Sequence, residues 1–377
     1  MTEQPFKYGT AATGIHFTDR TEETARLVSN FRHGIHTILI SPRRWGKTSL
    51  VKKAAGLAAS EELQVVFLDI FACRSEEEFC TAFVSAVLRQ TSSKWEEWLR
   101  NAQEFLARLS PKISLGTDPM TDMSFGLELK GKKEGIEEVL ELPERIARKH
   151  KRRLVVCIDE FQQVGEFADS LTFQKKLRTV WQHQEQVSYC LFGSKKHLMN
   201  ELFGRKDYPF YKFGDILYLG KIPTEEWVKY IRERFEATGK AISEKLARQI
   251  CEAADNHSSY VQQLSWLVWS RAEGIAGEEA VEAGIKELLD QNTPLFEKMT
   301  EGLTGYQLSY LRALSQGTNE ALTSRDSLEK YNLGSSANVA AVKAALLKRE
   351  VIDTEGGRVF ISDPVLKLWL RIRLFWM

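Results

Sequence analysis

The chain has no surplus of charge of either sign. Its 377 residues carry 52 Lys and Arg against 51 Asp and Glu, a formal net charge of +1. That balance excludes a strongly basic nucleic-acid coat, an acidic solvating tail and a disordered polyelectrolyte. Cysteine is also scarce: Cys73, Cys80, Cys157, Cys190 and Cys251 are scattered, and none forms a Cys-x-x-Cys pair. Neither a disulfide framework nor a structural zinc site fits such spacing. Cys157 and Cys190 stand in apolar runs and read as buried thiols. The seven histidines show no metal-ligand spacing, and His33 and His36 lack a neighbouring carboxylate or thiol. The start has no basic segment followed by an apolar core, and no apolar run approaches the roughly 18 residues of a membrane span. A cytoplasmic protein in a reducing setting, with no membrane partner, is the expectation.

What is present is ordinary in bulk and specific in detail. Hydrophobic residues make up 43% and charged residues 27%, as in soluble globular proteins. A chain of this length suggests two or three domains. The apolar run Thr37-Ile38-Leu39-Ile40 reads as a buried strand, and Leu50-Val51-Lys52-Lys53-Ala54-Ala55 reads as a helix. Between them lies Ser41-Pro42-Arg43-Arg44-Trp45-Gly46-Lys47-Thr48-Ser49. Strand, loop and helix is the setting of a phosphate-binding P-loop. The backbone N–H groups of Pro42 to Ser49 (proline excepted) would cradle phosphates, helped by the helix dipole. Lys47 would reach the β- and γ-phosphates, and the Thr48 hydroxyl would hold Mg²⁺. Ser41 stands where the motif has its first glycine, while Gly46 is kept beside Lys47.

A second segment completes the pattern. Leu154-Val155-Val156-Cys157-Ile158 reads as a buried strand ending in Asp159 and Glu160. Successive strand side chains point to opposite faces, so the two carboxylates diverge. Asp159 then suits the Mg²⁺ shell and Glu160 the attacking water of in-line ATP hydrolysis. No Asn-Lys-x-Asp guanine-reading motif occurs, which disfavours GTP.

With these residues the chain resembles the prokaryotic AAA ATPases of the archaeal type, in the STAND branch of P-loop NTPases. The resemblance runs over nearly the whole chain. Its phosphate loop matches the family's Ser-Pro-Arg-Arg-Trp-Gly-Lys-Thr form. Pro5 to Gly9 and Phe17-x-x-Arg20-x-x-Glu23 resemble the N-terminal box, which implies that Phe17 and Arg20 lie near the adenine. Asp69 ends the apolar run Leu63 to Leu68, like the family's second strand. Tyr189 to Ser194 resembles the sensor-1 strand, which implies that the Ser194 hydroxyl senses the γ-phosphate. The segment Leu202 to Tyr211 resembles the stretch after sensor 1, and Arg205 reads there as a structural or surface cation ahead of an arginine finger. Asn256 to Leu264 corresponds to a lid helix, with His257-Ser258-Ser259 in place of the family's Gly-x-Pro. No arginine opens that helix, so a sensor-2 arginine does not carry over.

The interval from Lys47 to Asp159 is too long for one strand–helix–strand crossover. Helices are expected over 76–90 and 94–109, a β-hairpin insertion near Ile113 to Leu129, and an amphipathic helix over 135–149 that contains Pro143. After a strand at Asp215 to Leu219 the pattern becomes helical. Thr224, Ser243 and Asn256 or Ser258 read as N-caps. A lid bundle runs to about residue 290 and a connecting helix to about Glu301. Helices over 305–315, 324–330 and 336–349, with short strands at 351–353 and 358–361, describe a winged helix. Ser362-Asp363-Pro364 with Trp369 resembles the family's closing motif.

The sequence therefore predicts an α/β P-loop core over 1–222 with an insertion at about 91–135, a helical lid over 223–301 and a winged helix over 302–377. The function read from it is an ATP-binding, ATP-hydrolysing switch that uses Mg²⁺. Lys47, Glu160 and Ser194 are its catalytic candidates, and Thr48 and Asp159 its metal ligands. Pro42, Arg43, Arg44, Trp45, Gly46, Lys47, Thr48, Ser49, Phe17 and Arg20 are its nucleotide-binding candidates. The alternative is a DNA-binding regulator or interaction protein that holds nucleotide without turnover. From Leu303 onward ten Lys or Arg face seven Asp or Glu, a sparse phosphate footprint. DNA is therefore not favoured, and a protein partner at the winged helix or the insertion is preferred. A phosphotransferase is weaker still, because adjacent Asp and Glu suit water activation.

Overall fold

Strand β1 is Thr37–Ile40, and all four of its residues are buried. A strand buried on both faces cannot alternate polar and apolar residues and belongs inside a parallel sheet. The computed structural model, which describes residues 4–92 and 135–375, shows that arrangement. With β1, the strands β2 (Leu63–Asp69), β3 (Arg153–Asp159), β4 (Val187–Gly193) and β5 (Asp215–Tyr218) form one sheet in the order β2-β3-β4-β1-β5. Every pairing is parallel. Strand β4 is buried along its whole length, whereas the edge strands β2 and β5 carry exposed residues.

Helix Thr21–His33 precedes β1, and helices Lys47–Ala58, Glu76–Thr91, Gly135–His150, Ser170–Trp181 and Lys196–Gly204 connect the strands. Helix Glu76–Thr91 begins where Ser75 accepts from the Glu78 N–H, with three glutamates in its first turn. Helix Gly135–His150 runs through Pro143, which is buried. The expected helix over 94–109 and the β-hairpin lie outside the described residues.

The chain divides into two units, residues 20–220 and residues 1–19 with 221–377. The first contains the sheet. In the second, Phe6 is fully buried against Tyr230 and Phe235, at 6.1 and 5.7 Å between ring centroids. The Lys7 N–H donates to Gln262 Oε1. These contacts place the N-terminal segment with the helices that follow the sheet.

Those helices are Thr224–Glu236, Glu244–Ala253, Ser258–Arg271 and Glu278–Glu301. Ser243 caps the second of them by accepting from Leu246 N. The cap at Thr224 is corrected. The cap position is Pro223, and Thr224 Oγ1 instead accepts from Asn256 Nδ2 at 2.8 Å. That bond also takes Asn256 away from capping, and His257 holds the cap position of the next helix.

The break expected near residue 290 is absent, since one helix covers Glu278–Glu301 with Pro294 inside it. Asn292 Nδ2 and Thr293 Oγ1 donate to the Leu288 and Leu289 carbonyls, reinforcing the turn where proline removes an N–H. Helices Gly305–Ser315, Arg325–Tyr331 and Ser336–Lys348 follow, then the antiparallel pair β6 (Ile352–Glu355) and β7 (Arg358–Ile361), and helix Pro364–Trp369. This is a winged helix. One apolar core runs from Phe6 and Ile222 through the lid helices to Trp369 and Leu370.

Candidate active site

Strands β3, β4 and β1 are neighbours and parallel, so Asp159, Gly193 and Ile40 end at the same edge of the sheet. Ligands of open α/β sheets bind beyond such carboxyl ends. Ser41 to Gly46 follow β1 there, and helix Lys47–Ala58 begins directly after them. The loop takes positive φ at Arg44 (63°) and Gly46 (92°), but not at Ser41. The conformational freedom of glycine is thus needed at 46 and not at 41, which is the physical reason serine is tolerated there.

Lys47 is 6% exposed, and its ammonium donates to the Ser41 and Pro42 carbonyls at 3.0 and 2.8 Å. Burial pulls its pKa down to about 8, against the opposing pull of Glu160 and Asp159. Thr48 Oγ1 donates to Asp159 Oδ2 at 2.9 Å. Asp159 Oδ1 accepts from the Glu160 N–H at 2.9 Å. Burial pushes the Asp159 carboxyl up to about 6, and Glu160 and Asp69 add to the rise. Asp69 pairs in register with Asp159 at the end of β2. A hydroxyl and a carboxylate set side by side, with further carboxylates near, form a hard oxygen donor set, and that set fits Mg²⁺.

Glu160 adopts φ 54°, a left-handed conformation that breaks the strand and turns its side chain away from that of Asp159. Its Oε2 accepts from Ser194 Oγ at 2.8 Å, from the Ser194 N–H at 3.4 Å and from Gln162 Nε2. Ser194 is 7% exposed, and its hydroxyl oxygen also receives Arg43 Nε at 3.3 Å. Arg43, Ser194, Glu160 and Gln162 therefore form one connected set. Gln162 was not singled out from the sequence. It sits in Phe161-Gln162-Gln163-Val164, where nothing in the residue types separates one glutamine from the next.

Arg20 is 4% exposed and left-handed at φ 63°. It pairs with Glu23 at 3.0 Å and donates to the Gly220 carbonyl at 2.7 Å and the Trp45 carbonyl at 3.5 Å. The arginine of the N-terminal box thus touches the phosphate loop. Arg44 is exposed, and Ser49 is buried in the first turn of the helix. Phe17 belongs to the other unit. Arg205 pairs with Glu201 and Asp207 and lies 4.7 Å from the Tyr208 ring centroid, as an exposed cation within its own chain.

Solved structures resemble the chain over nearly its full length. The Walker-type ATPase of Pyrococcus abyssi has 18% identity and a TM-score of 0.69, with 98% of this chain and 100% of that one covered. The ORC2 protein of Aeropyrum pernix, in ADPNP–ADP complexes, has 14% identity and a TM-score of 0.58, covering 98% and 97%. Its ADP form has 14% identity and a TM-score of 0.56, covering 96% and 93%. Residues 294–372 match the model of a family described as a probable winged helix domain. No curated protein matches the chain. The fold shared with these structures is a parallel five-stranded α/β sheet followed by helices and a C-terminal winged helix.

Proposed function

We propose that the protein binds ATP with Mg²⁺ at the end of β1 and hydrolyses it, acting as a switch of the STAND type. The observation that carries this reading is the split of the two carboxylates. Asp159 is bonded to Thr48, beside the phosphate loop, while Glu160 is directed to Ser194. In this reading the carbonyls of Ser41 and Pro42 hold the Lys47 ammonium where phosphate oxygens would replace them. Thr48 and Asp159 would hold Mg²⁺, which would supply charge neutralisation to the phosphates. Glu160 accepts the proton of the attacking water as its oxygen bonds to the γ-phosphorus. The bond from that phosphorus to the bridging oxygen breaks, and its electron pair leaves with ADP. Ser194 and Arg43 face the γ-phosphate.

The switch is supported by Arg20. It joins the Trp45 carbonyl of the phosphate loop to the carbonyl of Gly220, the last residue before the chain leaves the sheet unit. A change at the loop would thereby reach the chain crossing and the lid and winged helix beyond it. A protein partner suits the winged helix better than DNA does. The exposed residues of helix Ser336–Lys348 are mostly alanines, Ala337, Ala340, Ala341 and Ala344, with Ser336 and Lys348 at its two ends as the exposed polar groups, a sparse set for reading base edges. Arg349 donates to the Gly302 carbonyl, and Arg358 of the wing pairs with Glu320.

Equilibrium binding of a fluorescent ATP analogue tests the site. Lys47→Ala is expected to weaken binding at least roughly tenfold, the loss of a charge-assisted contact. Unchanged affinity would remove the site from the phosphate loop.

A further inference from the structure

The set around Glu160 contains one side chain for which the proposed reaction has so far given no task. Gln162 is 2% exposed and lies in the short helical turn Phe161–Glu166 directly after the strand end. The turn is pinned by Phe161, which is fully buried and packs on Phe210, Phe203 and Trp181 at 5.4, 5.8 and 6.2 Å between ring centroids. The side chain two residues from Glu160 therefore has little room to move. From this position Gln162 Nε2 donates to Glu160 Oε2.

Charge fixes the orientation of the amide. The reversed amide would set its oxygen against the Glu160 carboxylate. In the observed orientation Gln162 Oε1 is buried with no hydrogen-bond partner among the described residues. It lies against Gly193, where an added Cβ would come within 2.0 Å of it. An unpaired buried amide oxygen is unfavourable, so the arrangement is tolerated for what the other end of the amide does. At that other end, the donors from Ser194 and Gln162 all converge on Oε2 of the carboxylate. Among the described residues no donor reaches Oε1.

Resting on the ATPase reading above, we propose that Gln162 is a positioning residue: with Ser194 it clamps Oε2 of Glu160, so that Oε1 is the oxygen presented to the attacking water. Gln162 acts through Glu160 and touches neither nucleotide nor water. The backbone supports the same end. Glu160 is held left-handed, and its N–H is fixed on Asp159 Oδ1, so the carboxylate is restrained at both its root and its tip.

The test compares the parent with Gln162→Met, which keeps the length of the side chain and removes the donor. Turnover, KM for ATP, binding of a non-hydrolysable ATP analogue and the melting midpoint are measured together. A crystal structure of the nucleotide-free variant locates the Glu160 carboxylate. The expected result is a fall in kcat of roughly 10- to 100-fold, the scale of a small misplacement of a reacting group. KM, analogue binding and melting are expected to stay at parental values, and the carboxylate to leave its place on Ser194. An unchanged or raised kcat would overturn the proposal, as would a carboxylate that does not move. If Gln162→Met does not fold, Gln162→Leu carries the same expectations, because it too removes the N–H donor without adding a charge. If the parent itself shows no turnover, the ATPase reading fails separately, and the carboxylate position in the variant crystal still decides whether Gln162 clamps it.

Discussion

His36 illustrates how one residue sets a pH limit on the fold. Its ring stacks on Phe213 with centroids 4.3 Å apart, and its Nδ1 accepts the Tyr189 N–H at 3.1 Å. Burial, with Arg178 close by, lowers its pKa from 6.5 to about 4. The folded state therefore favours the neutral ring. Its stabilising contribution is complete above pH 6.5, the unfolded value, and is lost as the pH falls towards about 4. At ~1.4 kcal/mol per unit the loss amounts to about 3 kcal/mol. Denaturant melts between pH 7 and pH 4 should show this acid arm, and His36→Gln should flatten it. An arm of equal steepness in the variant would assign the loss to other groups.

At the same scale, the candidate site was only partly legible in the sequence. Lys47 and Thr48 could be read from Gly46-Lys47-Thr48 set between an apolar strand and a helix, and Asp159 and Glu160 because they close an apolar run. The divergence of Asp159 and Glu160 followed from strand geometry, and the structure adds the left-handed φ of Glu160 that completes it. The bonds from Gln162, Ser194 and Arg43 could not be read, because they depend on the packing of a short turn and a loop from different parts of the chain. Ser41 looked like a departure from the motif. It proves to occupy a position where the backbone makes no demand for glycine.

At the scale of elements, the strands were the most legible features. A central parallel strand is buried on both faces, so β1 and β4 announce themselves as largely apolar runs. Helix starts were less legible, because several capping residues competed. Thr224 and Asn256 both have cap-forming side chains, and they bond to each other instead. Where a cap did form, its value can be measured. Ser243 accepts from Leu246 N, and Thr304 forms a capping box with Gln307. Ser243→Ala and Thr304→Ala should each lower the unfolding free energy by about 1 kcal/mol in chemical denaturation. A loss below a few tenths would mean that solvent satisfies those N–H groups as well as the side chains do. The continuous helix Glu278–Glu301 differs from the expected division near residue 290, because the local side-chain bonds of Asn292 and Thr293 to carbonyls one turn back support the helix through Pro294.

At the scale of the whole molecule, the near-equality of 52 basic and 51 acidic residues bears on partners. A protein with no positive surplus gains little from the release of counterions from a polyanion. The alanine face of helix Ser336–Lys348 and the paired Arg358 point the same way. Turnover measured with and without duplex DNA over a range of salt should therefore be indistinguishable. Stimulation of tenfold or more that declines with salt would favour a DNA-directed regulator.

The proposed hydrolysis turns on Glu160, and the most direct measurement follows the fate of bound nucleotide. The parent and Glu160→Gln are each incubated with ATP and Mg²⁺, separated from free nucleotide, and the bound and released products quantified. The parent is expected to release phosphate and ADP through repeated turnovers, while the variant binds ATP with similar affinity and retains it unhydrolysed. Equal turnover by the two proteins would contradict the role of Glu160 and with it the assignment of this site as a hydrolytic centre.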